Sequence, residues 1–317
     1  MTTTSDASPS TVRALAELLR LPNVFTALAD VAMGFLFTHE SAQPAHQFAL
    51  LGLASGSLYL SGMVLNDYFD RDIDRLQRPG RPVPSGRISA GLARALGFGL
   101  LAVGLLAGWG AGMMTANARC GIVATVLATA VVLYDAVLKR TPLGPLAMGS
   151  CRVLNVLLGM SAATEPFQPI HWIVALGVGT YIAGVTWFAR TEATDSHRGQ
   201  LALGLLVMLG GIGLLAWYPQ WYTESVEPVS KPVHALLIGD RWYWFWGLMS
   251  VMIGWRALRA VIFPQPVYVQ GTVKQCLLSL IILDAAVCMG VRGPFYAAAI
   301  VALVFPTMFF GRWIYST

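Results

Sequence analysis

The sequence predicts an all-α integral membrane protein built from nine or ten transmembrane helices. Its 317 residues are 56% hydrophobic and have a mean hydropathy of +0.62. Only 12% of them are charged, about half the share of roughly 25% that soluble domains carry. Long apolar segments recur along the chain, and a helix needs about 20 such residues to span a membrane. These observations favour one helical membrane body over two soluble domains.

Ten apolar segments are candidate spans, and short polar loops separate them. They are Leu21–Phe37, Phe48–Leu65, Leu92–Met113, Cys120–Leu138, Leu146–Ala163, Trp172–Ala189, Leu201–Trp217, Trp242–Leu258, Cys276–Gly290 and Phe295–Trp313. The segment Cys276–Gly290 is short for a full crossing, so the count of nine or ten stays open. We expect residues 1–20 to form a polar, partly disordered tail and residues 21–317 to form a single transmembrane domain. A cleaved signal peptide is not expected, because the first apolar segment lacks a clear small-residue cleavage site.

Positive charge marks every second loop. Arg13 and Arg20 precede the first span, five arginines lie between residues 71 and 87, and Lys139 with Arg140 follows the fourth span. The alternate loops carry few basic residues. The positive-inside rule therefore predicts a cytoplasmic N-terminus and cytoplasmic basic loops. Because the net charge of +5 is concentrated in these loops, we do not expect a nucleic-acid partner.

The cysteines and histidines predict neither a disulfide framework nor a zinc site. Cys120, Cys151, Cys276 and Cys288 form no CxxC pair and lie in or beside apolar segments. The five histidines lack the i,i+3 or i,i+4 spacing of metal ligands.

An acidic run closes the second span, where the chain reads NDYFDRDID. Asp67, Asp70 and Asp74 are spaced i, i+3, i+7 and share one helix face, whereas Asp72 points away toward Arg71 or Arg75. Carboxylates on one face favour a hard cation such as Mg²⁺, whose shell substrate phosphates can complete. Asn66 adds an amide that can contact a diphosphate. A solvated helix end is the alternative, but ionisable groups at a span are costly and point to function.

Basic and polar residues follow that could meet the same diphosphate. Arg81 and Arg87 lie in the turn-rich stretch RPVPSGRIS, which suits a structured loop near an anion. Tyr134 and Lys139 lie five residues apart at the end of the fourth span. For the arginines and Lys139, the alternative is ordinary cytoplasmic positive charge or snorkelling.

Two further pairs complete the candidate site. Arg152 and Asn155, three residues apart inside the fifth span, predict a polar lining of a cavity and contact with the diphosphate, since a buried Arg needs a partner. Glu192 and Asp195, after the sixth span, form a smaller acidic pair that could hold a second metal ion. The alternative for that pair is a solvated loop with local charge pairs to Arg190 and Arg198.

The pattern NDxxDxxxD at Asn66, Asp67, Asp70 and Asp74, followed by RPVPSGRIS, resembles the first aspartate-rich signature of the UbiA superfamily of intramembrane prenyltransferases. Tyr134 with Lys139, and Arg152 with Asn155, resemble further family positions in order and spacing. The likeness covers roughly the first seven spans. The second motif departs from the family, because Glu192 and Asp195 have an ExxD spacing with fewer acids than usual. This divergence resembles the EboC-like branch of bacterial operons and implies a bacterial inner (plasma) membrane.

The resemblance implies a helical bundle around a central cavity open to lipid, and Mg²⁺-dependent transfer of a prenyl group. Asp67, Asp70 and Asp74 would hold the metal, with Lys139 and Arg81 or Arg87 assisting at the leaving diphosphate. Tyr134 would face an allylic cation through its ring. The acceptor is an aromatic ring, a hydroxyl or a polyol. The rival class is a binder or carrier of prenylated lipids that has lost efficient ionisation; a secondary transporter ranks last, because the acids cluster at one membrane edge.

Overall fold

The computed structural model describes residues 11–114, 117–190, 197–221 and 240–313, and all regular structure in those ranges is helical. The α-helices are α1 (Thr11–Leu19), α2 (Leu21–Thr38), α3 (Ala45–Gln77), α4 (Ala90–Met113), α5 (Arg119–Ala136), α6 (Gly144–Met160), α7 (Pro169–Ala189), α8 (Arg198–Trp217), α9 (Asp240–Ile262), α10 (Pro266–Arg292), α11 (Pro294–Val301) and α12 (Val304–Gly311). Short 3₁₀ helices occupy Leu138–Arg140 and Tyr218–Trp221.

Within the described ranges, nine helical segments are long and apolar enough to cross a membrane. The predicted fifth span corresponds to α6, whose 17 residues place it at the lower limit of about 17 for a crossing helix. The predicted all-α membrane class is confirmed, and the chain is an integral membrane protein.

Three boundaries differ from the sequence prediction. The segment expected to be a short ninth span is the 27-residue helix α10, which begins ten residues earlier because Gln265 and Pro266 start it. The last predicted span is two eight-residue helices, α11 and α12, joined end to end. Residues 11–19 of the expected tail form α1, because Ala14 and Leu18 pack against Val83 and Ile88; residues 1–10 lie outside the described part.

The bundle is organised around α2, which packs against α3, α6 and α10. At the crossing of α2 with α6, Gly34 and Gly159 let the backbones touch. A Cβ on Gly159 would lie 2.4 Å from the carbonyl oxygen of Val31. Small residues at such crossings are how membrane helices approach closely enough for dispersion contacts.

Candidate functional site

The acidic motif lies on the last turns of α3, which runs unbroken from Ala45 to Gln77. Asp67 and Asp74 are 2% and 3% exposed, whereas the Asp72 side chain is 67% exposed. Asp72 contacts Arg75 at 3.1 Å and Arg71 at 3.7 Å. The predicted common face of Asp67, Asp70 and Asp74, and the outward direction of Asp72, are therefore present.

Arg81 holds two of the motif's carboxylates together. Its Nη1 donates to Asp74 Oδ2 at 2.7 Å and to Asp67 Oδ1 at 3.2 Å. Arg20 donates to the same oxygen of Asp67 at 3.0 Å. Arg20 joins α1 to α2 with a left-handed backbone (φ 46°, ψ 47°), which costs a non-glycine residue roughly 1–2 kcal/mol. From this backbone conformation, the Arg20 side chain reaches Asp67 of the motif.

Asp70 faces a separate basic pair. Lys139 Nζ lies 2.8 Å from Asp70 Oδ2, and Arg140 Nη2 lies 2.9 Å from Asp70 Oδ1. Both basic residues come from the 3₁₀ helix that follows α5. The structure thus brings Lys139 to the acidic motif, as the sequence predicts, and adds Arg140.

The stretch that follows the motif is a structured loop. Val83 and Ile88 are buried against α1, and Gly86 turns the chain with φ 76°. Arg87 donates to Glu17 Oε2 at 2.7 Å and to the carbonyl oxygen of Gly80 at 2.7 Å. The loop therefore fixes Arg81 and Arg87 on one side of the motif.

Two open clefts flank the acidic face. The arginine cleft, of about 460 Å³, is lined by Asp67, Glu17 and four arginines: Arg20, Arg78, Arg81 and Arg87. The lysine cleft, of about 470 Å³, contains Asp70, Asp74, Lys139, Arg140 and Arg190, with Tyr134 in its wall. Both clefts can accept an anion, and the lysine cleft also reaches toward the bundle interior through Tyr134.

A smaller inner cavity of about 60 Å³ lies between α3, α5 and α6. Apolar side chains form most of its wall, and the polar contributors include Tyr59, Tyr134, Asp135, Arg152 and Asn155. Tyr134 lines both the lysine cleft and the inner cavity. The tyrosine therefore stands between the space beside the acidic motif and the space within the bundle.

Arg152 and Asn155 pair with a buried carboxylate, and their contact with the diphosphate stays a prediction. Arg152 Nη1 donates to Asp30 Oδ2 at 2.8 Å, and Asn155 Nδ2 donates to the same oxygen at 3.0 Å. Both residues line the inner cavity and are absent from the walls of the two clefts. They are held away from the motif because Asp30 of α2 supplies the partner that a buried arginine requires. The cavity-lining role predicted for them is present.

Three buried aspartates were missed by sequence reasoning: Asp30, Asp135 and Asp284. Asp30 and Asp284 are fully buried, and the Asp284 carboxyl faces Asp30 beside Arg152. Asp135 is 2% exposed, and its Oδ1 accepts from Asn66 Nδ2 at 3.1 Å. Their position inside apolar segments could have identified them, because burying a carboxyl group there costs free energy and points to function.

The donor chemistry of the motif fits a hard divalent cation. Asp67, Asp70 and Asp74 offer carboxylate oxygens, and Mg²⁺ commonly takes one or two of these from protein while phosphates and water complete its shell. In the described part of the chain, no three His, Cys, Asp or Glu side chains converge as a metal cluster. Glu192 and Asp195, the predicted second pair, lie outside the described residues.

The fold is that of an all-helical membrane bundle, and its candidate site is an acidic helix end surrounded by lysine and arginine. The chain belongs to the UbiA prenyltransferase family, whose model matches residues 27–270.

Curated relatives support the assignment. Digeranylgeranylglyceryl phosphate synthase of Ignicoccus hospitalis is 34% identical over 155 residues, which cover 49% of this chain and 48% of that protein. The chain therefore spans about half the length of that relative. The synthase of the same name from Methanopyrus kandleri is 32% identical over 195 residues, covering 61% of this chain and 68% of that protein.

A solved structure shares the fold. A UbiA homologue from Archaeoglobus fulgidus, determined with GPP and Mg²⁺, superposes with a TM-score of 0.62 at 16% identity, covering 91% of this chain and 99% of that one. The proteins named here do not separate the EboC-like branch from the rest of the family, so that assignment stays a prediction.

Proposed function

We propose that this protein transfers a prenyl group from a prenyl diphosphate to a lipid-like acceptor within the membrane, with Mg²⁺ as cofactor. The observation that carries the proposal is the acidic face of α3, whose Asp67, Asp70 and Asp74 border two clefts that are also lined by lysine and arginine. Carboxylates and cations interleaved in this way can bind a metal and a diphosphate together.

Asp67, Asp70 and Asp74 would hold the metal, and Glu192 with Asp195 is proposed as a second, weaker pair. When bound, Mg²⁺ supplies Lewis-acid stabilisation of charge on the leaving group. Lys139 and Arg140 line the lysine cleft at Asp70, where they can contact diphosphate oxygens. Arg81 and Arg87 line the arginine cleft with Asp67 and are proposed to position the same group. Asn66, whose amide is bonded to Asp135, stays a predicted contact of the diphosphate.

The reaction is proposed to begin with cleavage of the C–O bond between the prenyl C1 and the diphosphate, which carries away the electron pair. Tyr134 lines both the lysine cleft and the inner cavity, so its ring can face the allylic cation. The largely apolar inner cavity limits the access of water, which would otherwise capture that cation.

For the acceptor, a glycerophosphate-type lipid is the first choice, since the relatives named above are digeranylgeranylglyceryl phosphate synthases. An aromatic ring or a polyol are the alternatives. The proposed location is the inner (plasma) membrane of the cell, with the acidic motif on the cytoplasmic side.

The test is release of diphosphate by protein purified in detergent. It is supplied with geranylgeranyl or farnesyl diphosphate, Mg²⁺ and a panel of glycerophosphate, aromatic and polyol acceptors. We expect the double variant Asp67→Asn, Asp70→Asn to lose at least about 100-fold in rate, as when a main charge-stabilising group is removed. Asp72→Asn is the matched control, because Asp72 is exposed and faces away. Equal rates in the double variant and the control would contradict the proposal.

A carrier of prenylated lipids is the second candidate. It is favoured by the contacts of the motif, since Arg20, Arg81, Lys139 and Arg140 already neutralise the three carboxylates. A carrier would release no diphosphate with any acceptor, and its double variant would bind prenyl lipid as tightly as the wild type does.

A further inference from the structure

Among the described residues, only one of the two oxygens of the Asp135 carboxylate has a hydrogen-bond partner. Its Oδ1 accepts a hydrogen bond from Asn66, the first residue of the acidic motif, at 3.1 Å. Its Oδ2 is buried and has no hydrogen-bond partner among the described residues. A buried carboxylate oxygen without a partner is expensive, so its persistence points to a group that binds there.

The open oxygen lies at the inner cavity. Asp135 lines that cavity beside Tyr134, and Gly62 of α3 stands opposite. A Cβ on Gly62 would lie 3.0 Å from Val131 Cγ1 and 3.7 Å from Asp135 Oδ2, so a larger residue here would fill the space beside this oxygen. A small polar group of a ligand can occupy that space.

The remaining polar groups of the cavity can orient such a ligand. Arg152 lies over the Tyr59 ring, with its Cζ 5.2 Å from the ring centroid, and is fixed by its pair with Asp30. Asn155 is fixed by the same carboxylate. Both amide hydrogens of Asn155 are engaged, by the Ala27 carbonyl oxygen and by Asp30 Oδ2, so a donor to a hydroxyl group would come from Arg152.

We propose that Asp135 is a catalytic residue that accepts the proton from an acceptor whose hydroxyl group enters the inner cavity. This inference rests on the proposed function and deepens it, because it assigns the acceptor to the class of alcohols. The acceptor oxygen forms a bond to the prenyl C1, the bond from C1 to the diphosphate breaks, and the diphosphate takes the electron pair. The hydroxyl proton passes to Asp135 Oδ2 and is released to water before the next turnover.

The position of Tyr134 makes this arrangement geometrically consistent. The tyrosine separates the lysine cleft, where the diphosphate is proposed to bind, from the inner cavity that contains Asp135. A prenyl C1 placed at this boundary has the leaving group on one side and the acceptor on the other. Donor and acceptor therefore approach the same carbon from different spaces.

The test compares Asp135→Asn with the wild type and with Asp72→Asn in transfer to a hydroxyl acceptor. An asparagine keeps an oxygen that accepts from Asn66, so a merely structural role would survive, while a proton acceptor is lost. We expect kcat to fall by about 100-fold or more, in the range for general-base catalysis, with unchanged binding of a non-hydrolysable prenyl thiodiphosphate. A kcat within about threefold of wild type would overturn the inference.

Chemical rescue gives a second readout, which also serves if Asp135→Asn does not fold. Asp135→Ala opens space for formate, which can take the proton in place of the side chain. Recovery of transfer with added formate supports the inference, and a folded Asp135→Ala protein that formate does not restore contradicts it. A wild-type protein that transfers to no acceptor contradicts the proposed function itself, whereas an active wild type matched by Asp135→Asn contradicts only the role of Asp135.

Discussion

At the scale of single residues, Arg81 bridges two carboxylates of the acidic motif. It contacts Asp67 and Asp74, whose side chains are only 3% and 4% exposed. Removing one partner of a buried charge pair costs roughly 3–5 kcal/mol, because it leaves uncompensated charge behind. Arg81 therefore stabilises the motif, and under the proposed function it would compete with Mg²⁺ for the same carboxylates.

We expect Arg81→Gln to lower the melting temperature in detergent without Mg²⁺ and to recover part of the loss when Mg²⁺ is added. Recovery follows because, within the described part of the chain, Asp74 then has no counterion and Asp67 has only Arg20, so a cation can bind between them. The measurement is thermal unfolding with and without Mg²⁺. Arg75→Gln is the control, since Arg75 is 64% exposed and contacts only Asp72 in the described structure. Identical melting shifts in the two variants would show that Arg81 does not compete for a cation site.

The second residue-scale prediction concerns the buried pair of Arg152 and Asp30. Their side chains are 7% and 0% exposed, and Asp284 adds a second carboxyl group beside them. We expect Arg152→Met to cost about 3–5 kcal/mol of stability, because Asp30 loses its counterion. The double variant Asp30→Asn, Arg152→Met should be more stable than the single one. A double-mutant cycle on detergent unfolding measures this coupling, and strictly additive losses would contradict it.

At the scale of helices, close packing depends on glycines where backbones touch. Gly159→Ala in α6 would place a Cβ 2.4 Å from the Val31 carbonyl oxygen in α2. The two helices must then separate, and overpacking of this kind costs about 1–3 kcal/mol. Gly99→Ala in α4 is the matched control, because a Cβ at that position would have no neighbouring side chain or helix within 4 Å. We expect unfolding in detergent to show a loss for Gly159→Ala alone; equal stabilities would mean that the α2–α6 crossing can relax.

The helices and the motif face are predictable because hydropathy and the i, i+3, i+7 spacing act locally along the chain. Contacts between residues that are distant in sequence are not predictable in this way. The sequence predicts Arg152 at the diphosphate because nothing local reveals that Asp30, 122 residues away, takes its guanidinium. It predicts a tail in place of α1 because Ala14 and Leu18, the two buried residues of that helix, are buried by the loop after α3, which is distant in sequence. The break between α11 and α12 is different, because Pro306 signals it locally: proline has no N–H to donate to the carbonyl of Ala302, where α11 ends.

At the scale of the whole molecule, the distribution of charge predicts which side of the membrane carries the candidate site. The loop between α3 and α4 contains the acidic motif's basic neighbours, whereas residues 39–44 between α2 and α3 contain no Lys or Arg. The positive-inside rule places the first loop in the cytoplasm and the second outside. These two loops lie on opposite sides because α3 crosses between them, whereas the sides of the later loops depend on the 17-residue α6 crossing as well.

Cysteine labelling in intact cells tests the orientation. The native Cys120, Cys151, Cys276 and Cys288 are buried, so cysteines introduced at exposed positions report their own accessibility. An impermeant maleimide should label Glu40→Cys in intact cells and Arg75→Cys only after lysis, because both positions are exposed but lie at opposite ends of the bundle-forming helices. Ser150→Cys, exposed on α6 within the bilayer, should resist the reagent in both conditions. The reverse pattern at Glu40 and Arg75 would place the site outside the cell, where a cytoplasmic prenyl diphosphate cannot reach it, and would contradict both the orientation and the proposed donor.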